Sequence, residues 1–472
     1  MEQAVVWFGS TPIETGGWRE VRNPYDGSVV SRVAVCDEAL AAKVLAHAAC
    51  AAESARKVPL SRRILWMEDV AQRLLEAKEE FARTITAEVG KPIALARIEV
   101  DRAIETLRLS AMAAANLTGH TIPTDIMPSG RQTMSFYRRE PVGVVVAITP
   151  FNFPLNLVMH KVAPALATGN AVVLKPAPEA PLTAYKIAKL FIESPYATAD
   201  ALSVLYGDAE VGSVLVTSDI PRVISFTGSV PVGRIIMKSA GIKKVSLELG
   251  GNAATFIDAT ADLDHAAKRC AIGAFSNSGQ VCISLQRIYV HEGVYEAFAA
   301  RLAQESLNLK VGSPWDEETF IGPLINDEAA ARAMRWIQSA VSEGARVAVG
   351  GHAEGVMMVP TVMVDVRDDM AIVCEEVFAP IVSLVKVGSF DEALEKINNS
   401  PYGLQYSIFT NDLKLAMRAV EEYRCGGVVV NDIPTLRFDV QPYGGVKESG
   451  VGREGPLFAC EEFTEIKSVI FC

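Results

Sequence analysis

The sequence predicts an α/β fold of two parallel-sheet domains with a small extra sheet, and three observations carry that prediction. The chain has 472 residues, more than one hydrophobic core ordinarily serves, so two or more domains are expected. From Val142 onward, short apolar runs alternate with amphipathic stretches, the pattern of a parallel sheet covered on both faces by helices. A Gly-, Pro- and Thr-rich connection at residues 119–130 (GHTIPTDIMPSG) leads into the strand-like QTMSFYRRE. The apolar tail IKSVIFC offers that strand a partner.

From Asp37 to about Asn116 the pattern is helical. Ile64, Met67, Ala71, Leu74 and Leu75 recur at three- and four-residue spacing. Strands are expected at Val142–Ile148, Ala171–Leu174, Ala201–Leu205, Val223–Phe226 and Val245–Leu249, each followed by turn chemistry. A second α/β series runs from about Asp258 to Asn431. It holds a helix from Leu263 to Phe275 and strands near Gln286–His291 and Ile381–Val387.

Composition narrows the function. Half the residues are hydrophobic (50%) and 21% are charged, an ordinary globular balance. The net charge of −11 argues against nucleic-acid binding, which needs a basic face. The eight cysteines stand at 36, 50, 270, 282, 374, 425, 460 and 472. None form a CxxC pair or lie at metal-ligand spacing, so no metal site is expected. No export signal opens the chain and no apolar run of about 18 residues spans a membrane, so a cytoplasmic protein with reduced thiols is expected.

No GxGxxG fingerprint occurs. Gly207/Gly212 and Gly228/Gly233 each place two glycines five residues apart between a strand and a helix, where free N–H groups can meet an anion. No lysine follows Gly233, which excludes a nucleotide-hydrolase phosphate loop. The run Ser276 to Cys282 (SNSGQVC) reads as a loop returning to a strand, ISLQRIYVH. A thiol at such a junction can be exposed and reactive, although most cysteines are simply buried. Cys270 fits the buried reading, on the apolar side of a predicted helix.

Three segments, Thr149 to Pro154 (TPFNFP), Leu247 to Asn252 (LELGGN) and the Cys282 loop, resemble the aldehyde dehydrogenase superfamily in order and separation. Phe226 to Ser229 (FTGS), Glu375 to Pro380 (EEVFAP) and Tyr443 to Gly450 (YGGVKESG) add three further matches. The resemblance covers essentially the whole chain. It is closest in pattern to the branch acting on lactaldehyde, phosphonoacetaldehyde and, without phosphorylation, glyceraldehyde 3-phosphate. It implies a Rossmann-like cofactor domain (1–118 with 141–247) and a catalytic domain (248–445). Segments 119–140 and 446–472 would form an oligomerisation sheet, making a homodimer or homotetramer.

The resemblance also implies roles. Cys282 is the nucleophile toward a small-molecule aldehyde, Asn152 an oxyanion donor, and Glu248 the base that activates water. Gly250 and Gly251 permit a close backbone turn beside Glu248. Because acylating relatives commonly lack this glutamate, water is preferred to coenzyme A as acceptor. A catalytically silent relative would lose Cys282, Glu248 or Asn152, and all three are present.

For NAD or NADP, the resemblance points to Thr149, Pro150, Phe151, Lys175, Gly228, Ser229, Glu376 and Phe378. Many NAD-selective relatives carry a glutamate three residues after the lysine. Here Pro178 stands there, with Glu179 adjacent, so NADP is expected to be tolerated. For substrate, Arg108 (ETLRLSA), His160 (NFPLNLVMH) and Arg437 (TLRFDVQPYGG) stand where many relatives have apolar tunnel walls. Each arginine alone reads as solvated surface. Together they favour an anionic or strongly polar aldehyde, because guanidinium donors form a fixed fork. Relatives specific for phosphorylated aldehydes often have arginine just before the cysteine, where this chain has Val281. Lactaldehyde and succinic semialdehyde are the alternatives.

Overall fold

The computed structural model describes residues 2–472. Two large sheets organise the chain. The first has eight strands, in the order Gly450–Val451, Lys244–Glu248, Val223–Thr227, Val144–Ile148, Ala171–Lys175, Leu202–Val204, Val6–Phe8 and Thr11–Ile13. The five from Lys244–Glu248 to Leu202–Val204 run parallel, and the flanking strands are antiparallel. After Val144–Ile148 the chain adds strands on one side, then crosses to add Val223–Thr227 and Lys244–Glu248 on the other. That reversal makes a switch point at the carboxyl ends of the strands, the place where such sheets bind ligands. Thr149, Lys175, Gly228 and Glu248 all lie at those ends.

The second sheet has seven strands, in the order Arg346–Val349, Thr361–Val364, Ile381–Val387, Leu285–His291, Ala253–Ile257, Gln405–Phe409 and Gly427–Val430. All pairs are parallel except the first. The expected helix Leu263–Phe275 has those bounds in the structure, because the Asp262 side chain accepts from the His265 N–H and caps it. Cys270 is fully buried on its inner face. Across the interior strands Ala253–Ile257 and Ala171–Lys175 every residue is buried, which explains their continuous apolar character.

Four helices, Glu38–Ala55, Leu60–Glu76, Lys78–Val89 and Ile93–Asn116, fill the region read as helical. Their register is pinned by the core: Trp66 lies edge-on to Phe191 at 5.8 Å and its indole N–H donates to the Phe191 carbonyl at 2.8 Å. Gly90, at φ 67°, ends the third helix in the left-handed conformation that glycine adopts without strain.

The strand Met134–Pro141 pairs antiparallel with Thr464–Phe471, from Pro141 opposite Thr464 to Met134 opposite Phe471. The rest of the 446–472 segment serves the first sheet: Gly450–Val451 extends it, and helix Pro456–Glu462 packs on helices Ile93–Asn116 and Asn156–Ala167. At the amino terminus, Glu2–Ala4, Val29–Ala34 and Trp18–Arg22 form a three-stranded sheet. Among the described residues no helix is long and apolar enough to cross a membrane.

Candidate active site

The loop before Cys282 is shaped by backbone strain. Asn277 and Ser278 take positive φ (51° and 58°) within a single turn of 3-10 helix, and Gly279 follows at φ 72°. A Cβ on Gly279 would stand 2.1 Å from the Ala379 carbonyl oxygen, so only glycine fits. The turn delivers Cys282 to the wall of a cavity of about 170 Å³. Burial pushes its thiol up to about 11, opposed by a hydrogen bond with the Tyr443 hydroxyl at 3.0 Å.

Glu248 ends its strand on the same wall, buried, and neither carboxylate oxygen has a hydrogen-bond partner among the described residues. Burial first, and the Glu454 carboxylate second, hold its pKa well above the usual carboxylate range. The glycines after it are a close-approach joint. A Cβ on Gly250 would meet Glu376 Oε2 at 2.4 Å, and one on Gly251 would meet the Cys282 carbonyl oxygen at 2.2 Å. The Gly251 N–H donates to Glu376 Oε1 at 3.0 Å. Thus the strand end, the cysteine loop and Glu376 meet at one point. Asn152 sits against the loop but off the cavity surface. Its amide donates to the Gln280 carbonyl at 2.9 Å, and its Oδ1 is buried without a partner.

The polar end of the cavity is a buried ionic network. Arg437 lies over the Tyr443 ring, 3.7 Å from its centre, with Nη2 3.4 Å from Glu454 Oε2 and 3.2 Å from His160 Nε2. Glu454 accepts from Lys161 at 2.7 Å. Burial, then the Arg437 charge, lower the His160 pKa, so its ring favours the neutral form. His160 binds Asp439 Oδ1 at 2.9 Å.

The structure places two of the expected substrate residues off the cavity wall. His160 is fully buried behind Arg437 and does not line the cavity; it braces Arg437 and Asp439 instead. Arg108 is exposed and away from the cavity. Six residues on a helix turn the side chain through about 240°, and it is Arg102 that faces inward. Arg102 grips Asp439 with two hydrogen bonds, 2.9 Å from Nε and 2.7 Å from Nη2. Leu95, Ile98, Glu99 and Arg102 all line the cavity. Their spacing of i, i+3, i+4 and i+7 is that of one helix face, so a charged inner face was the sequence signal available. Lys91 was equally unforeseen: it lines the cavity, pairs with Glu99, and its ammonium sits 3.8 Å from the centre of the Phe153 ring.

A second cavity, about 390 Å³, opens between helices Ala209–Thr217 and Val230–Ser239. Ile148, Lys175, Pro178, Phe226, Val232 and Ile235 are among its walls. Val232 and Ile235 are substantially exposed, which leaves apolar surface for a flat ring to cover. Ser229 stands at the amino end of helix Val230–Ser239 without capping it by its side chain, so the first-turn N–H groups face outward. Gly228 packs so closely that a Cβ would lie 2.4 Å from the Phe226 ring. Thr149 Oγ1 is buried and unpartnered, and the Thr149 N–H donates to the Lys175 carbonyl at 3.2 Å. Pro150 joins Thr149 to Phe151, which meets Phe378 edge-on at 6.1 Å; Phe378 itself has φ 51°. Burial raises Glu376 to about 7. An apolar slot, open helix N–H groups, an unpartnered hydroxyl and a buried carboxylate suit a dinucleotide's base, phosphates and ribose.

Residues 13–469 match the profile of the Aldehyde dehydrogenase family. A relative from Priestia aryabhattai, named 3-sulfolactaldehyde dehydrogenase, is 44% identical over 452 residues, covering 96% of this chain and 94% of that protein. The crystal structure of aldehyde dehydrogenase 21 from Physcomitrella patens, in complex with the reaction product succinate, matches with a TM-score of 0.97 at 37% identity, covering 100% of this chain and 98% of that one. A glyceraldehyde-3-phosphate dehydrogenase from Methanocaldococcus jannaschii, complexed with NADP, matches with a TM-score of 0.92 at 37% identity, covering 97% and 100%. The chain belongs to the aldehyde dehydrogenase family. Its class of reaction is the NAD(P)-dependent oxidation of an aldehyde.

Proposed function

We propose that this chain oxidises a small anionic or strongly polar aldehyde to its carboxylic acid, through a thiohemiacetal and then a thioester on Cys282. The observation that carries the reading is one small cavity walled by Cys282, Glu248, Arg102 and Arg437 together. The Cys282 thiolate adds to the carbonyl carbon, and the π pair moves to oxygen. Asn152 needs only to exchange the Gln280 carbonyl for that oxygen to serve as its donor, and one such donor contributes roughly 2.7–4 kcal/mol.

NAD or NADP supplies the hydride acceptor. Lys175, Gly228 and Ser229 would hold its adenosine and phosphate end, and Thr149, Pro150, Phe151, Glu376 and Phe378 its nicotinamide end. Loss of hydride from the tetrahedral carbon leaves the thioester. Glu248 then takes a proton from water, and hydrolysis releases the acid and restores the thiolate. In this division residues 1–118 and 141–247 bind the cofactor and residues 248–445 carry the chemistry. The strands Met134–Pro141 and Thr464–Phe471, with Ile466, Ile470 and Phe471 well exposed, would join subunits in a homodimer or homotetramer.

Charge favours an anion. Around the cavity Lys91, Arg102, Lys161 and Arg437 face Glu99, Asp439 and Glu454. Each of these carboxylates already holds a cation of its own, Glu99 with Lys91, Asp439 with Arg102 and Glu454 with Lys161, while Arg437 Nε is buried without a partner. Arg437 has the freest fork, since Asp439 already holds two donors of Arg102. The relatives agree: the succinate held by the Physcomitrella patens enzyme and the sulfolactaldehyde of the Priestia aryabhattai enzyme are both anionic, and the latter adds a hydroxyl. A second reading, an uncharged hydroxyaldehyde such as lactaldehyde, is favoured by Val281 beside the cysteine and by the engagement of Arg102 with Asp439.

At the cofactor slot Pro178 offers no carboxylate against a 2′-phosphate, while Arg19 reaches Asp208 on its rim at 2.8 Å. NADP is therefore accepted alongside NAD. The test is NAD(P)H formation at 340 nm with propanal, lactaldehyde, succinic semialdehyde, glyceraldehyde 3-phosphate and phosphonoacetaldehyde, each with both cofactors. The anionic members are expected to show the highest kcat/KM. Equal or better turnover of propanal would defeat the anion reading, and NADP efficiency below about a hundredth of that with NAD would defeat the cofactor reading.

A further inference from the structure

We propose that Tyr443 is a catalytic residue of this site: its hydroxyl donates to the Cys282 thiolate and transfers that hydrogen bond to the substrate oxygen as the carbon–sulfur bond forms. The inference rests on the reading of Cys282 as the nucleophile. The Tyr443 hydroxyl lies 3.0 Å from Cys282 Sγ, its one hydrogen bond among the described residues. Tyr443 also lines the cavity with Cys282, Glu248 and Arg437.

The ring is not free to swing away. The Tyr443 N–H donates to the Glu454 carbonyl at 3.0 Å, and the Glu454 N–H returns a bond to the Tyr443 carbonyl at 2.6 Å. Arg437 covers one ring face at 3.7 Å, and Val281, Ile283 and Leu404 pack around it. A thiolate can only accept, so ionisation of Cys282 fixes the phenol as donor.

The sulfur has few other allies. The charged groups that act on it are Glu376, Arg437 and Glu248; the two carboxylates oppose the thiolate and the guanidinium favours it. Asn152 gives its amide to Gln280. A hydrogen bond to the charged form is then the remaining means of favouring ionisation, and it is stronger in a dry site. When the sulfur pair forms the carbon–sulfur bond and the π pair moves to oxygen, negative charge leaves one neighbour of the phenol for another. No proton has to move, because the O–H changes acceptor and stays a phenol.

The experiment compares wild type with Tyr443→Phe, which keeps the ring and its stacking on Arg437 and removes one oxygen. The pH dependence of alkylation by iodoacetamide is followed, with the labelled peptide identified by mass, beside steady-state turnover. The expected result is an alkylation limb moved up by about one pH unit, roughly tenfold slower labelling at pH 8, and kcat lowered about 100-fold with KM within about threefold. An unmoved limb overturns the proposal whatever kcat does. Should the phenylalanine variant fail to fold, 3,5-difluorotyrosine at the same position is a stronger donor and must move the limb down; no movement overturns the proposal equally. Labelling away from Cys282, with activity retained in Cys282→Ser, would instead reject the nucleophile reading and be recognised as that failure.

Discussion

The two cavities solve opposite problems. The catalytic cavity is small and its polar wall is a network in which Arg102, His160, Lys161, Arg437, Asp439 and Glu454 hold one another in place. The cofactor slot is larger and lined largely by aliphatic side chains and backbone, with Lys175 its buried cation. Buried charges must be paired to be tolerated, and the polar wall of the first cavity is held together by such pairs. Apolar walls and open N–H groups make few such demands, so the second can accept two related cofactors. On the proposed reading, selectivity for the aldehyde is built from electrostatics, and affinity for the cofactor from shape.

The largest effect should come from the group that the network leaves unpaired. Glu248→Gln is expected to lower steady-state turnover about 10³-fold, within the range for loss of a general base, while a single burst of NAD(P)H per subunit survives. Stopped-flow absorbance separates the two phases. Because burial raises the Glu248 pKa, hydrolysis in the wild type should speed up as pH rises through that raised value. A missing burst would place Glu248 in the first half-reaction instead.

Next comes the network. Arg437→Ala should raise KM about 100-fold for an anionic aldehyde and less than about fivefold for propanal, because truncating one partner of a buried pair costs 2–5 kcal/mol. Equal losses on both substrates would mean that the cavity was damaged rather than discharged. Arg108→Ala on the solvent side of the same helix should leave both values within about twofold.

The slot should be the more forgiving region. Ile235→Asp is expected to raise KM for either cofactor about tenfold without changing the aldehyde preference, as judged by titration of NAD and NADP at saturating aldehyde. A change in aldehyde ranking would show the two cavities to be coupled, and the contrast between them would fail.

What the sequence disclosed follows the same division. The strand ends, the glycine joint at Gly250 and Gly251, and the Cys282 loop are local: neighbouring residues specify the turn, so a short segment reveals it. Helix Leu263–Phe275 was legible because Asp262 caps it and its apolar stripe is continuous. The first 36 residues were not legible. Their strands are short, and although Glu2–Ala4, Val29–Ala34 and Trp18–Arg22 pair with one another, Val6–Phe8 and Thr11–Ile13 join the first sheet only where Trp7 pairs with distant Val204. The bracing position of His160 was not legible for a similar reason: its partner Asp439 lies 279 residues away, and no local pattern announces that distance. The outward placement of Arg108 follows from helix phase alone, since the helix was foreseen but its inner face was not.

The two-point grip of Arg102 on Asp439 ties helix Ile93–Asn116 to the loop that carries Arg437 and Tyr443. An engineer who wished to retarget this enzyme would find that the loop is not a cassette. A transplanted loop without an acid at 439 would take both hydrogen bonds from Arg102, and a new helix without a cation at 102 would leave Asp439 to His160 and Asn156. Either half-exchange would loosen the joint between helix and loop, so retargeting this chain is expected to call for paired steps on two segments more than 300 residues apart.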